Sequence, residues 1–150
     1  MLGINLAMEA LGGHEVIGVD RGKLKSAPFQ VIQPDLTHST VMDSVIETIR
    51  PDWLINCAAL ANLEKCEEDP VQARNLNTDL PGELAIACAK SNTRFIHIST
   101  DAVFDGTKEG FYTEEDETNP LGIYSETKLK GERAVQEANP QAIIARVNFY

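Results

Sequence analysis

Short strand-like runs alternate with longer helical stretches along almost the whole chain of 150 residues. Residues 14–20, 29–33, 52–59, 94–99 and 142–147 form the strand-like runs, and 2–11, 37–50, 71–91 and 120–138 the helical stretches. Strands separated by helices predict parallel pairing through right-handed crossovers. The pattern therefore predicts an α/β fold, a Rossmann-like doubly wound parallel sheet, with ligands at the carboxyl ends of its strands.

The first residues are helical, although a domain of this kind normally begins with its central strand. Met1, Leu2 and Gly3 look like the end of a glycine-rich turn that follows such a strand. We therefore expect residues 1–150 to form one domain that lacks its first strand, with a C-terminal substrate-binding part also outside it. Pro81 is expected to kink or interrupt the long helix in which it lies.

Charge and composition exclude several classes of function. The formal net charge is −10 and the basic residues are scattered among more numerous acids, so no nucleic-acid partner is expected. No apolar run approaches the roughly 20 residues that span a bilayer, and no signal peptide is visible, so we expect no membrane association and a cytoplasmic location. Cys57, Cys66 and Cys88 lack the spacing of a zinc or disulfide framework, and no metal site is predicted. Cys57 and Cys88 should be core residues and Cys66 exposed.

The strongest chemical signal combines Thr100 at a strand end with Tyr124 and Lys128 on the next helix. Tyr124 and Lys128 are four residues apart and so share one helix face. A neighbouring ammonium lowers the pKa of a phenol, and a threonine hydroxyl can donate to a developing alkoxide. These groups suit reduction of a carbonyl by hydride from a nicotinamide cofactor, with Tyr124 as the proton donor. His97, between two isoleucines, is expected to be a satisfied core or interface histidine.

Three segments carry a resemblance to a known family. Residues 96–106 (IHISTDAVFDG) closely resemble the HISTDYVFDG signature of dTDP-4-dehydrorhamnose reductases, in the extended short-chain dehydrogenase/reductase superfamily. Residues 50–59 (RPDWLINCAA) and 124–132 (YSETKLKGE) resemble that family in order and spacing too. The resemblance covers nearly the whole chain. It implies NAD(P)H-dependent reduction of the 4-keto group of a dTDP-linked deoxysugar in polysaccharide biosynthesis.

The resemblance also implies roles for individual residues. Thr100, Tyr124 and Lys128 would be catalytic, and Thr100 and Asp101 would contact the nucleotide-sugar substrate. The implied cofactor contacts are Met1, Leu2, Gly3, Asp20, Arg21, Asp35, Leu36, Ala58, Ala59, Leu60, Ser99, Tyr124 and Lys128. Asn77 resembles a family asparagine with a structural role. A homodimer is left open as the assembly.

The sequence leaves more than one cofactor and more than one function open. Asp20 after the second strand favours NAD through the ribose 2′-hydroxyl, whereas the adjacent Arg21 favours a 2′-phosphate; the resemblance tilts the choice to NADP. Asp20 can equally be a turn residue. Ala102 replaces a tyrosine of the family signature, which alters the expected sugar pocket. The alternatives are a non-catalytic NADP-binding regulatory subunit like that of methionine adenosyltransferase, or a nucleotide-sugar epimerase or dehydratase.

Overall fold

The computed structural model describes residues 2–22, 24, 26–34 and 41–148, and it divides into two compact units. In the first unit, Met1–Ile49, the described residues form α1 (Leu2–Ala10), β1 (Ile17–Val19), β2 (Gln30–Ile32) and α2 (Val41–Ile49). The two strands pair in parallel, with Gly18 opposite Val31. A parallel pair needs a crossover between its strands, as the predicted pattern requires.

The second unit, Arg50–Tyr150, contains a three-stranded parallel sheet with its helices. Its elements are β3 (Trp53–Asn56), α3 (Leu63–Glu68), α4 (Pro70–Arg74), a π-helical turn (Asn75–Asp79), α5 (Leu80–Ser91), β4 (Arg94–Thr100), a 3₁₀ turn (Asp101–Val103), α6 (Ile123–Ala138) and β5 (Ile143–Val147). The strand order is β3-β4-β5, so β4 is central. The carboxyl end of β4 therefore lies between two neighbours, where ligands of such sheets bind.

The side chains on one face of β4 lie in the core. Phe95, His97 and Ser99 are buried there, because successive side chains of a strand alternate between its two faces. Helices α5 and α6 pack against this strand and against each other. Two side chains that would ordinarily carry or gain charge, His97 and Lys128, are thus enclosed in the core with exposed fractions of 0% and 2%.

The helical stretch from Pro70 to Ser91 is interrupted by the π-helical turn that ends two residues before Pro81. Proline lacks the amide hydrogen that a helix interior needs, so the interruption predicted from Pro81 is confirmed. α6 crosses this turn at Gly131, where a Cβ atom would lie 2.1 Å from the Asn77 carbonyl oxygen. Only glycine permits so close an approach of the two backbones.

The fold class predicted from the alternating pattern is confirmed: the chain is α/β with parallel strands, and helices join β2, β3, β4 and β5 in turn. Two details differ. β3 was expected to be buried on both faces, but Trp53 and Ile55, which share one face, are about two fifths exposed. Cys66 was expected at an exposed helical position, and it lies in helix α3 but is fully buried. No helix in the part of the chain that the structure describes is long and apolar enough to cross a membrane.

Candidate active site

Thr100 is the last residue of β4, and its hydroxyl organises the site. Its Oγ1 atom accepts a hydrogen bond from the Ala102 backbone at 3.1 Å and donates to the Asp101 carboxylate at 3.3 Å. The Tyr124 hydroxyl, from the first turns of α6, lies near enough to this side chain for Thr100 to lower the pKa of the phenol. The structure therefore brings together two of the three residues predicted to be catalytic, at the predicted end of the sheet.

Tyr124 is half-buried, and burial raises the pKa of its phenol above the ordinary value. The neighbouring Thr100 hydroxyl opposes this rise in pKa, because it can donate to the phenolate, and the negative charge of Asp101 adds to the rise. The phenol consequently carries its proton at neutral pH, which is the state a proton donor requires.

Lys128 lies one turn further along α6, but its ammonium group is directed into the core. Nζ donates to the backbone carbonyl of Ile98 at 2.6 Å and lies 3.5 Å from Nε2 of His97. Burial lowers the pKa of Lys128 from 10.5 to about 8, against the opposing charges of Glu132 and Cys57. Half of this group would therefore be uncharged at a pH only about one unit above neutrality.

The expected effect of Lys128 on Tyr124 is not seen. The sequence predicted that the ammonium would lower the pKa of the phenol, whereas the pKa of Tyr124 is raised. The physical reason is the direction of the lysine side chain, since Nζ is bonded to Ile98 on the core side of the helix. Sharing a helix face was not sufficient to put the charge beside the hydroxyl.

Ser99 precedes Thr100 and faces the core, where a buried charged group holds it. Its hydroxyl donates to Glu132 at 2.5 Å, and Arg146 of β5 binds the same carboxylate through two nitrogens, at 2.7 and 3.0 Å. The hydrogen bond to Glu132 keeps the pKa of Arg146 above its ordinary value. This arrangement ties β4, β5 and α6 together directly beneath Thr100.

Asn77 pins the segment after β3, which contains the predicted cofactor contacts Ala58, Ala59 and Leu60. Its carboxamide accepts from the Leu60 amide at 2.8 Å and donates to the Leu60 carbonyl and to Thr127, each at 3.1 Å. Because Asn77 is fully buried, these bonds fix the course of the segment against α6. The structural role expected for Asn77 agrees with these contacts.

The remaining predicted cofactor contacts belong to the first unit or lie outside the described residues. Leu2 and Gly3 are in α1, and Asp20 and Arg21 are exposed after β1. Asp20 Oδ1 accepts from the Gly22 amide at 2.7 Å, so this carboxylate stabilises a turn whatever else it binds. Met1, Asp35 and Leu36 are outside the described residues. Among the described residues, no group of three or more His, Cys, Asp or Glu could hold a metal ion.

The site also contains groups that the sequence did not identify. His97 was predicted to be a core histidine, and it is fully buried, but its contact with Lys128 was not foreseen. Asn56 and Glu132 were not singled out either. Their only sequence signal is a polar residue at an inward-facing position of an otherwise apolar element, which favours a buried polar network.

Parallel strands with crossover helices, and Thr100 beside Tyr124 at the end of the central strand, are typical of a Rossmann-like protein of the extended short-chain dehydrogenase/reductase type. The model of the RmlD substrate binding domain family matches residues 1–149, and the chain belongs to this family. The expected family is thereby confirmed.

The chain is similar to curated proteins named as reductases and to a subunit of methionine adenosyltransferase. A probable low-salt glycan biosynthesis reductase, Agl14 of Haloferax volcanii, is 39% identical over 91% of this chain and 46% of its own length. The dTDP-4-dehydrorhamnose reductase of Mycobacterium tuberculosis is 40% identical over 91% of this chain and 45% of its own. Methionine adenosyltransferase 2 subunit beta of Bos taurus is 40% identical over 77% and 34%. The chain thus spans about half the length, or less, of the curated relatives it matches.

Solved structures show the same fold. A hypothetical dTDP-4-dehydrorhamnose reductase of Sulfolobus tokodaii superposes with a TM-score of 0.79 and 36% identity, covering 89% of this chain and 47% of that one. The dTDP-4-dehydrorhamnose reductase of Bacillus anthracis, in complex with NADP, gives a TM-score of 0.74 and 25% identity, covering 87% and 52%.

Proposed function

We propose that this chain provides the NAD(P)-binding and proton-donating part of a reductase that acts on the 4-keto group of a dTDP-linked deoxysugar. The observation that carries the proposal is the placement of Thr100 beside the Tyr124 phenol, at the carboxyl end of the central strand. The reductases among its relatives support this reaction class. In this proposal residues 1–150 form one NAD(P)-binding domain.

The donor set fits a nicotinamide cofactor and a sugar ketone. The Lys128 ammonium has three hydrogens, and rotation away from Ile98 would direct them to ribose hydroxyls. A bound dihydronicotinamide would supply the hydride, which no side chain can deliver. NADP is the cofactor of the similar Bacillus anthracis enzyme, and Arg21 beside Asp20 suits its 2′-phosphate.

The chain's own residues then hydrogen-bond and protonate the oxygen of the ketone. The Thr100 hydroxyl donates to the carbonyl oxygen and stabilises the negative charge that grows there. As the carbonyl electron pair moves onto this oxygen, Tyr124 gives it the phenolic proton, so that an alcohol and a phenolate result. Asp101, exposed beside Thr100, is placed to contact the sugar.

The test is turnover by the protein expressed from its complete reading frame. With a dTDP-4-keto-6-deoxysugar and NADPH, we expect loss of absorbance of the reduced cofactor. Tyr124→Phe should lower kcat by about 10²- to 10⁴-fold, the usual contribution of a general acid. Tyr112→Phe removes the same hydroxyl from a partly buried tyrosine of the loop after β4 and should change kcat by no more than a few-fold. An unchanged rate in Tyr124→Phe would remove this residue as proton donor.

A second candidate is a non-catalytic, NADP-binding regulatory subunit. The similarity to methionine adenosyltransferase 2 subunit beta favours it, together with Ala102 at the position of the signature tyrosine. This candidate predicts NADPH binding and co-purification with a methionine adenosyltransferase, without oxidation of NADPH by any 4-keto sugar nucleotide. The intact Thr100, Tyr124 and Lys128 set favours the reductase.

A further inference from the structure

His97 forms a bridge between β3 and the lysine of α6. It lies directly opposite Asn56 in the register of the parallel pair β3–β4, and both side chains are buried. Nδ1 of the ring is 3.1 Å from Nδ2 of Asn56, and Nε2 is 3.5 Å from Nζ of Lys128. The three side chains therefore form a continuous line from one strand, across the next, to the helix.

The orientation of the Asn56 carboxamide fixes the tautomer of His97. Oδ1 of Asn56 accepts a hydrogen bond from the Ala58 amide at 3.0 Å. Turning the carboxamide over would place its NH₂ group against that amide hydrogen, so Nδ2 must face the histidine. Nδ2 can only donate, so Nδ1 of the ring must accept, and in a neutral ring the proton lies on Nε2.

The Nε2–H group is consequently directed at the amine of Lys128. An ammonium has no lone pair with which to accept this hydrogen, whereas a neutral amine does. The separation of 3.5 Å is longer than a good hydrogen bond, while the bond from Nζ to Ile98 is short, at 2.6 Å. The Lys128 ammonium therefore donates to the Ile98 carbonyl, while the Nε2–H group of His97 faces it as a second donor that it cannot accept.

We propose that His97 is a positioning residue for Lys128: held as its Nε2–H tautomer by Asn56, it directs the amine to the Ile98 carbonyl and favours the uncharged form of that amine. The inference rests on the proposed function only where it gives Lys128 a part in catalysis. The other titratable groups near Nζ are Glu132 on the same helix and the Cys57 thiol after β3, and both favour the ammonium.

The charge states follow from this arrangement. Burial and the neighbouring Lys128 lower the pKa of His97 to about 3, so the ring stays neutral throughout the working range. The pKa of Lys128, lowered to about 8, places its loss of charge within reach of ordinary assay conditions. If the ammonium is needed for reduction, kcat/KM should decline above a pH of about 8.

The substitution Asn56→Asp should reverse the tautomer with little change in shape. One carboxylate oxygen would still accept from the Ala58 amide, but the other would require a hydrogen on Nδ1. Nε2 would then present a lone pair to the Lys128 ammonium. We expect the pKa of Lys128 to rise by about one unit or more, from this reversal together with the added charge.

Nuclear magnetic resonance tests both steps without substrate or cofactor, on the full chain. Long-range ¹H–¹⁵N correlation should show His97 as the neutral Nε2–H tautomer between about pH 5 and 9, and as the Nδ1–H tautomer in Asn56→Asp. The ¹³Cε signal of Lys128, assigned by its loss in Lys128→Met, should titrate near pH 8 in the wild type and higher in the variant.

Asn62→Asp is the matched control, because it adds the same charge at the exposed cap of α3. The Lys128 titration should be unchanged in this variant. A wild-type His97 that is Nδ1–H, or that retains Nε2–H in Asn56→Asp, would overturn the proposal, and the wild-type measurement requires no variant to fold. An inactive protein that shows both expected tautomers would refute the proposed function and leave this inference standing.

Discussion

Two polar networks lie near the carboxyl end of β4, one in the core and one in the loop that follows the strand. They differ in how far their side chains are exposed to water. In the core, Ser99, Glu132 and Arg146 share buried hydrogen bonds. In the loop, Asp105 accepts from Thr107, Tyr112 and Asn119 near the surface. Hydrogen bonds, that from Asn119 foremost, hold the pKa of Asp105 well below its usual range, whereas burial governs the pKa of Lys128 in the core.

The comparison shows that similar bonds have different consequences according to the water around them. In the loop, water competes for every donor, so the network orders the loop but changes the free energy of unfolding little. In the core, Ser99 and Glu132 have lost their water and depend on their partners, and the Arg146 side chain is only about one quarter exposed. Substitutions in the core should therefore alter global stability, and those in the loop should alter local order.

The largest effect is expected for Glu132→Ala. The change leaves the Arg146 guanidinium and the Ser99 hydroxyl without their shared acceptor, in a place where Glu132 is 4% exposed. Removing one partner of a buried ion pair costs about 3–5 kcal/mol of unfolding free energy. Denaturant unfolding should show this loss, while Glu137→Ala, at an exposed position of the same helix, should stay within about 0.5 kcal/mol of the wild type. If Glu132→Ala lost no more unfolding free energy than that control, the core network would stabilise the fold no more than a surface residue does.

The sequence predicted most elements of the fold but not these networks. Strand and helix periods identified β4 and α6, and the four-residue spacing placed Tyr124 and Lys128 on one helix. The contact of Lys128 with His97 joins residues 31 apart, and that of Ser99 with Glu132 residues 33 apart. Spacing within one element carries no information about such pairs, because they depend on how elements pack.

The burial of β3 and α3 was mispredicted for a different reason. Helix α3 is six residues long and mostly charged, which favoured an exposed Cys66, whereas the buried thiol donates to the Leu60 carbonyl. β3 is mostly apolar, which made both faces look buried, although Trp53 and Ile55 lie on an exposed face. Composition alone does not distinguish a central strand from an edge strand.

Lys128→Met should have the next largest effect on stability, and in the opposite direction. Because the pKa falls from 10.5 to about 8 on folding, the unfolded chain holds this proton more firmly, which costs the native state roughly 3 kcal/mol below pH 8. Methionine removes that cost but loses the charge-assisted bond to Ile98, worth about 2 kcal/mol, so a net gain of about 1 kcal/mol is expected at pH 7. The advantage should shrink as the pH rises from about 8 towards 10.5, since wild-type stability rises there.

Thermal or denaturant unfolding at several pH values measures this change. Lys130→Met, two residues away on an exposed position of α6, should show no comparable dependence on pH. A Lys128→Met protein that is less stable than the wild type at pH 7 would contradict the view that burial of this charge is costly.

Asp105→Ala should loosen the loop without a large change in global stability. The Asp105 carboxylate accepts the hydrogen bonds that hold residues 105–119 together, beside the stacked rings of Phe104 and Tyr112. Trypsin should cleave after Lys108 faster in this variant, and the difference should persist as the pH falls to about 5, because the lowered pKa keeps the carboxylate ionised. Glu115→Ala, elsewhere in the loop, should be cleaved at the wild-type rate, and equal cleavage of both variants would show that Asp105 does not organise the loop.

The smallest effect is expected where a charge pair lies in water on α6. Lys130 is 3.6 Å from Glu126, four residues earlier on the same helix, and both side chains are about half exposed. Lys130→Met should cost no more than about 0.5 kcal/mol at low salt. In 1 M salt, where the screening length is about 3 Å, the cost should vanish, whereas the loss in Glu132→Ala should remain because its partners are shielded from ions by the protein. Unfolding of both variants at the two salt concentrations measures this, with Arg133→Met as the control; an equal salt dependence would mean that burial does not distinguish the two pairs.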